Sequence, residues 1–147
     1  MRNVKIAAIQ MQCSTNLQDN LEKAEKMVRQ AAGEGAQIIL LPELFEREYF
    51  CQQRRYDFYH LAKPVKENDA VQMGMRLAKE LNVVLPISFY EQDINTLYNS
   101  IACIDADAHC RGCIVRHIFR MIIIIRKSFI LHRGIPASKY LIPVTAR

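Results

Sequence analysis

No aspartate or glutamate occurs after Asp107, although the chain runs on to Arg147. All 15 acidic residues precede that point, whereas eight of the 20 basic ones follow it: Arg111, Arg116, Arg120, Arg126, Lys127, Arg133, Lys139 and Arg147. The last forty residues therefore carry +8 and the first 107 carry −3, against +5 for the whole chain. A basic balance ordinarily points to nucleic acid or an anionic membrane. Here the basicity is local, so the chain average says little about the first 107 residues.

Other absences narrow the class further. No stretch approaches the roughly 20 apolar residues of a membrane-spanning helix; Ile122–Ile125 is followed at once by Arg126 and Lys127. The apolar stretch after Met1-Arg2-Asn3 is short and runs into polar sequence, unlike a secretory leader. Cys13, Cys51, Cys103, Cys110 and Cys113 form an odd set, which fits free thiols in a reducing cytoplasm better than a disulfide framework. No repeat period and no Gly/Ser linker divides the chain. At 147 residues it is one domain at most, or a piece of a larger one.

The patterning that is present describes an α/β domain. Val4–Met11 reads as a buried strand. Leu17–Ala32 has helical period, with Leu21, Ala24, Met27, Val28 and Ala31 on one face, Asn16 as N-cap, and Gly33 and Gly35 as the stop. Ile38–Leu41 is a short all-apolar strand, expected to be covered on both faces. Val71–Leu81 is a second amphipathic helix with Met75, Leu77, Ala78 and Leu81 inward. Val83–Ser88 and Tyr98–Ile104 follow as strands around a polar turn at Glu91–Thr96. Beyond residues 107–110 neither period holds, and Ile114–Leu131 mixes β-branched residues with arginines at no consistent face.

Three groups of residues invite a chemical reading. In Leu40-Leu41-Pro42-Glu43-Leu44-Phe45 a carboxylate follows an apolar strand directly, at the rim where ligands bind in open α/β sheets. Partial desolvation there would raise its pKa and suit it to proton transfer, whereas a surface ion pair is the plainer alternative. Cys110-Arg111-Gly112-Cys113, with His109 and His117, has a metal-like spacing but lacks a second well-spaced pair. Cys51 could act as a nucleophile, yet no histidine or lysine is clearly placed to activate it and His60 lies nine residues on; a structural thiol is the better reading.

Residues 3–107 resemble the carbon–nitrogen hydrolases of the nitrilase superfamily. The resemblance rests on Val4-Lys5-Ile6-Ala7-Ala8-Ile9-Gln10, on Asp19-Asn20-Leu21-Glu22-Lys23-Ala24, and most specifically on Gly35-Ala36-Gln37-Ile38-Ile39-Leu40-Leu41-Pro42-Glu43-Leu44-Phe45. Tyr49-Phe50-Cys51-Gln52, Ala62-Lys63-Pro64, Pro86-Ile87-Ser88-Phe89-Tyr90-Glu91 and Tyr98-Asn99-Ser100-Ile101-Ala102 continue it. The combination is similar to the branch that hydrolyses the terminal urea of N-carbamoyl amines, releasing putrescine in polyamine synthesis. The resemblance implies the N-terminal part of an α-β-β-α sandwich and a Glu–Lys–Cys triad, with no cofactor and no metal. It also implies a small N-carbamoyl amine as substrate, no nucleic-acid or membrane partner, and a homo-oligomer for the intact enzyme. Glu43 matches the family glutamate. Cys51 does not match the nucleophile, and Lys127 stands in no matching context.

The break at Asp107 has a reading in the genetic code. Codons for Met121–Ser128 can be chosen so that, reading from each third base, they encode Asp-His-Tyr-Tyr-Gln-Glu-Lys. The same shift over Gly112–Arg120 permits Val-Tyr-Arg-Lys-Thr-His-Ile-Pro, which resembles the family segment bearing the catalytic lysine. Residues 1–107 are thus expected to form a partial hydrolase domain and 108–147 an out-of-frame basic tail that does not follow the fold. The rival reading is a binding module whose basic tail contacts nucleic acid or an acidic partner.

Overall fold

The computed structural model describes residues 3–53 and 55–107, together with the backbone of three strand segments, Cys110–Cys113, His117–Ile118 and Leu141–Thr145. In chain order the elements are β1 (Ile6–Gln10), α1 (Leu17–Gly33), β2 (Ile38–Leu40), 3-10 turns at Phe50–Gln52 and Tyr56–Leu61, α2 (Asp69–Leu81), β3 (Leu85–Asp93), β4 (Thr96–Ile104), β5 (Cys110–Cys113), β6 (His117–Ile118) and β7 (Leu141–Thr145). The expected α/β class is present.

Each helix begins where the sequence supplies a cap. The Asn16 side chain accepts from the Gln18 N–H at 2.9 Å and the Asn68 side chain from the Val71 N–H at 3.0 Å. Such a cap contributes about 1 kcal/mol by satisfying a backbone donor the first turn leaves open. At the far end of α2, Asn82 takes the left-handed conformation (φ 54°) that closes many helices. Gly33 is the last residue of α1 and not its stop; Glu34 caps the helix, and Gly35 follows at φ 88°.

The strands form two ladders. In one the order is β2-β1-β7, all parallel; in the other β3, β4 and β5 are antiparallel, with β6 also on β4. A bridge between Ile38 and Val84 joins the two, with the Ile39 N–H donating to the Val84 carbonyl at 3.0 Å. The β3–β4 hairpin is longer than expected: its strands extend through Asp93 and resume at Thr96, so the polar turn shrinks to Ile94 and Asn95. The ladder bonds and the facing pair Glu91 and Tyr98 hold those polar residues extended. Segments beyond Asp107 that show no consistent period nevertheless supply β5, β6 and β7. Ile122–Ile125 and Lys127 lie outside the described residues.

Both helices pack on one face of the sheet. Ala24, Met27, Val28 and Ala31 of α1 and Val71, Leu77 and Ala78 of α2 share one core with Ile39, Phe45, Leu85, Ile87, Phe89, Ala102 and Ile104. Across the top of the helices Arg29 bridges Glu25 and Glu80, while Arg76 reaches Glu25. The expectation that β2 is covered on both faces fails. Ile39 is fully buried, but Leu40 on the opposite face is 39 % exposed and Ile38 is half-buried. Both helices lie on the Ile39 side, and side chains alternate along a strand, so one face only is covered by them.

Candidate active site

Glu43 stands in the turn directly after β2, as the apolar run closed by Pro42 indicated. The turn is sharpened by Leu44, which adopts φ 51° although it bears a side chain. That conformation costs on the order of 1–2 kcal/mol and persists where the surroundings over-determine it. They do so here. The Leu44 side chain is buried at 2 % exposure, Phe45 beside it at 0 %, and the Leu44 N–H donates to the Ser88 hydroxyl of β3 at 3.2 Å.

The Glu43 carboxylate accepts a hydrogen bond from the Asn99 amide of β4. Asn99 faces Tyr90 across the β3–β4 ladder, and Ser88 faces Ile101, so these residues share the sheet face turned toward the Glu43 turn. Glu43 itself is exposed. Among the described residues this carboxylate is thus solvent-exposed, and the expected partial desolvation is not seen.

Two further groups come near. The Tyr49 hydroxyl and the Cys51 thiol are hydrogen-bonded to one another, and both feel the charge of Glu43. Burial, followed by the neighbouring Cys51 and Glu43, pushes the Tyr49 hydroxyl upward. Burial is also the main cause that lifts the Cys51 thiol to about 11; the hydrogen bond with Tyr49 opposes this and Glu43 reinforces it. A thiol held in its protonated form is a poor nucleophile, in keeping with a structural role for Cys51. His60 lies on the exposed turn Tyr56–Leu61 and lines, with Leu44, Glu46, Phe50, Lys63 and Tyr90, a cavity of about 140 Å³. Phe50 packs against both Phe58 and Tyr90, at centroid distances of 5.4 and 5.3 Å.

Below the turn lies a polar network that sequence reasoning missed. Asn68 donates through Nδ2 to both carboxylate oxygens of Glu46, at 3.1 Å each, and Asn20 donates to the Glu46 carbonyl at 3.0 Å. Burial pushes the Glu46 carboxyl upward, against hydrogen bonds from Asn68 and the Ala70 N–H. Asn20 carried a legible signal: it interrupts the apolar stripe of α1, one turn before Ala24. Asn99 did not, since a polar residue in a hairpin strand is commonplace. The metal-like group at Cys110 and Cys113 with His109 and His117 lies outside the described side chains. Among the described residues no cluster of His, Cys, Asp or Glu could hold a metal ion, and no helix is long and apolar enough to cross a membrane.

A strand-end glutamate on a strained turn, in a sheet with both helices on one face, defines a class that comparison with known proteins names. The carbon-nitrogen hydrolase family profile matches residues 5–131, and the chain belongs to that family. The chain is 48% identical over 104 residues to the N-carbamoylputrescine amidase of Oryza sativa subsp. japonica, covering 71% of this chain and 35% of that protein. It is 45% identical over 112 residues to the citrullinase of Francisella tularensis subsp. tularensis, covering 76% of this chain and 39% of that one. Among solved structures, a carbon-nitrogen hydrolase from Helicobacter pylori G27 shares the fold with a TM-score of 0.69 at 23% identity, covering 77% of this chain and 39% of that one. Saccharomyces cerevisiae Nit3, of the nitrilase superfamily, does so at 0.62 and 24%, with 78% and 43% covered. The chain thus spans little more than a third of the length of the curated relatives it matches.

Proposed function

We propose that residues 3–107 are the glutamate-bearing part of a hydrolase of terminal carbamoyl groups, with N-carbamoylputrescine as substrate. In this reading Glu43 takes the proton from a cysteine thiol, the thiolate attacks the carbonyl carbon, and a lysine ammonium stabilises the oxyanion. The placement of Glu43 at the end of β2, on a turn held by Ser88 and Asn99, is the observation that carries it. Residues 3–107 supply no lysine and no cysteine in a matching context, and Cys51 is held as a thiol.

The chain by itself therefore turns over nothing. Loss of the nucleophile from a triad that works as a unit costs on the order of 10⁶ in rate. The half-exposed face of β2 around Ile38 and Leu40, which neither helix covers, supports the reading of residues 3–107 as part of a larger domain. The rice relative aligns over 104 residues, while the family model runs on to residue 131. In the shifted frame the charge of the tail is a by-product of codons.

Two measurements test this. Purified 147-residue protein is incubated with N-carbamoylputrescine and assayed for ammonia; no release above the buffer control is expected, and turnover refutes the inactive assignment. Resequencing across Asp107–Cys110 decides the frame, and an uninterrupted frame encoding this tail in independent isolates ends that part of the proposal.

A further inference from the structure

We infer that Asn68 and Glu46 form a positioning pair that, together with Asn20, holds the turn bearing Glu43 in its working geometry. The inference rests on the reading of Glu43 as the proton-transferring residue. Its structural ground is that both helix N-termini grip the same residue of the same turn. From α2, Asn68 donates to the Glu46 carboxylate at 3.1 Å, and from the first turn of α1, Asn20 donates to the Glu46 carbonyl at 3.0 Å.

Helix capping alone accounts for neither asparagine. Asn68 caps α2 with its Oδ1 alone, accepting from the Val71 N–H at 3.0 Å, and spends its amide on Glu46. A serine would cap equally well but is too short to reach Glu46 as well. Asn20 lies inside α1, accepts from the Ser14 N–H at 2.8 Å, and donates to the Ser14 carbonyl at 2.7 Å. The same Ser14 carbonyl accepts from the Glu48 N–H at 3.0 Å, so residues 46 and 48 are tied to one point ahead of α1. Asn20 and Asn68 are 2 % and 0 % exposed, where a polar group is costly unless its partners are exact.

The turn needs such restraint. Leu44 is held at φ 51° between Glu43 and the gripped Glu46. Release of Glu46 would leave the turn held by Ser88 and the core alone, letting the Glu43 side chain shift relative to Asn99. The network therefore acts on Glu43 without touching it.

The test uses the full 147-residue chain and reads the Asn99 side-chain amide and the Glu43 carboxyl carbon by NMR, with the methyls of Val71 and Leu77 as internal controls for α2. In N68S, which keeps the cap and removes the donor to Glu46, both Asn99 amide signals should move while the control methyls stay in place. The N68D/E46Q double variant swaps donor and acceptor: the amide introduced at position 46 donates to the carboxylate introduced at position 68. The Asn99 signals should then return to their wild-type positions. If N68S fails to fold, the double variant decides alone. Asn99 signals unmoved in N68S, or still displaced in the double variant, overturn the proposal. A merely structural role would shift melting temperature without this reversal. Neither outcome depends on turnover, so failure here is distinct from failure of the role assigned to Glu43.

Discussion

The Asn99 side-chain amide donates to Oε1 of Glu43, joining a hairpin strand to a turn 56 positions earlier in the chain. The contact depends on the β3–β4 register, which places Asn99 opposite Tyr90, and on Leu44, whose left-handed backbone aims the preceding residue at the sheet. A carboxylate that is otherwise exposed thereby acquires a defined direction. For proton transfer direction matters first, since the acid or base must lie within hydrogen-bond reach of the proton it moves.

Cys51 should be unreactive for a half-buried thiol. Burial chiefly lifts it to about 11 from an ordinary 9.0, so near neutral pH its thiolate fraction falls about 100-fold. Peptide mapping after timed iodoacetamide treatment at pH 7.5 should show Cys51 alkylated about that much more slowly than a free cysteine peptide. Equal rates would remove the argument against a nucleophilic Cys51.

Gly74 should not tolerate a side chain. A Cβ there would meet Cδ1 of Ile104 and Cγ1 of Ile87 at 2.8 Å, where α2 lies against β3 and β4. Overpacking costs about 1–3 kcal/mol and the helix gains about 1 kcal/mol from alanine over glycine. G74A should therefore lose about 1 kcal/mol in urea unfolding. With I104V, which removes the Cδ1, the double variant should lose less than the two single losses together.

Two glutamates should give stability opposite dependences on pH. Hydrogen bonding to Arg76, with Arg29 assisting, holds Glu25 at about 2, well below its ordinary 4.5. Its contribution is present above 4.5 and is lost as pH falls toward 2, because the unfolded chain binds the proton first. Burial raises Glu46, so its contribution is present below 4.5 and is lost as pH rises above that value. E25Q should flatten the acid limb of the stability profile between pH 2 and 4.5. E46Q should flatten the fall above pH 4.5. Profiles parallel to wild type in both variants would contradict the assignment.

Ile94 is a place where the chain can be improved. It takes φ 55° at the tip of the β3–β4 hairpin and is 84 % exposed, so a β-branched side chain is strained with no burial in return. I94N should raise stability by about 1 kcal/mol, seen as a higher urea midpoint with unchanged slope. A midpoint equal to or below wild type would show that Ile94 contributes contacts that outweigh its strain.

Much of the architecture was legible in the residues. The 3.6-residue stripe of α1, the cap at Asn16 and the apolar runs of β1 and β2 are local patterns, and local patterns survive into the fold. The start of α2 at Asp69, two residues before the apolar period begins, follows from its Asn68 cap. The length of β3 and the 3-10 turns at Phe50–Gln52 and Tyr56–Leu61 were not legible. Polar strand ends and short turns take their conformation from distant partners, as when the Lys63 N–H pairs with the Tyr90 carbonyl at 3.1 Å.

For the candidate site the division is sharper. An apolar strand closed by Pro42 was enough to place Glu43 at a strand end, because the burial of such a run and the stop imposed by proline are properties of the residues themselves. The same residues also carry the family resemblance. What surrounds Glu43 was decided by tertiary structure: Asn99 reaches it through strand register, Leu44 is strained because Ser88 and the core hold it, and Glu46 is gripped from two helices. Exposure of Glu43, against the expected desolvation, belongs there too, since burial depends on which elements cover a position and a one-dimensional pattern records only which residues could be covered.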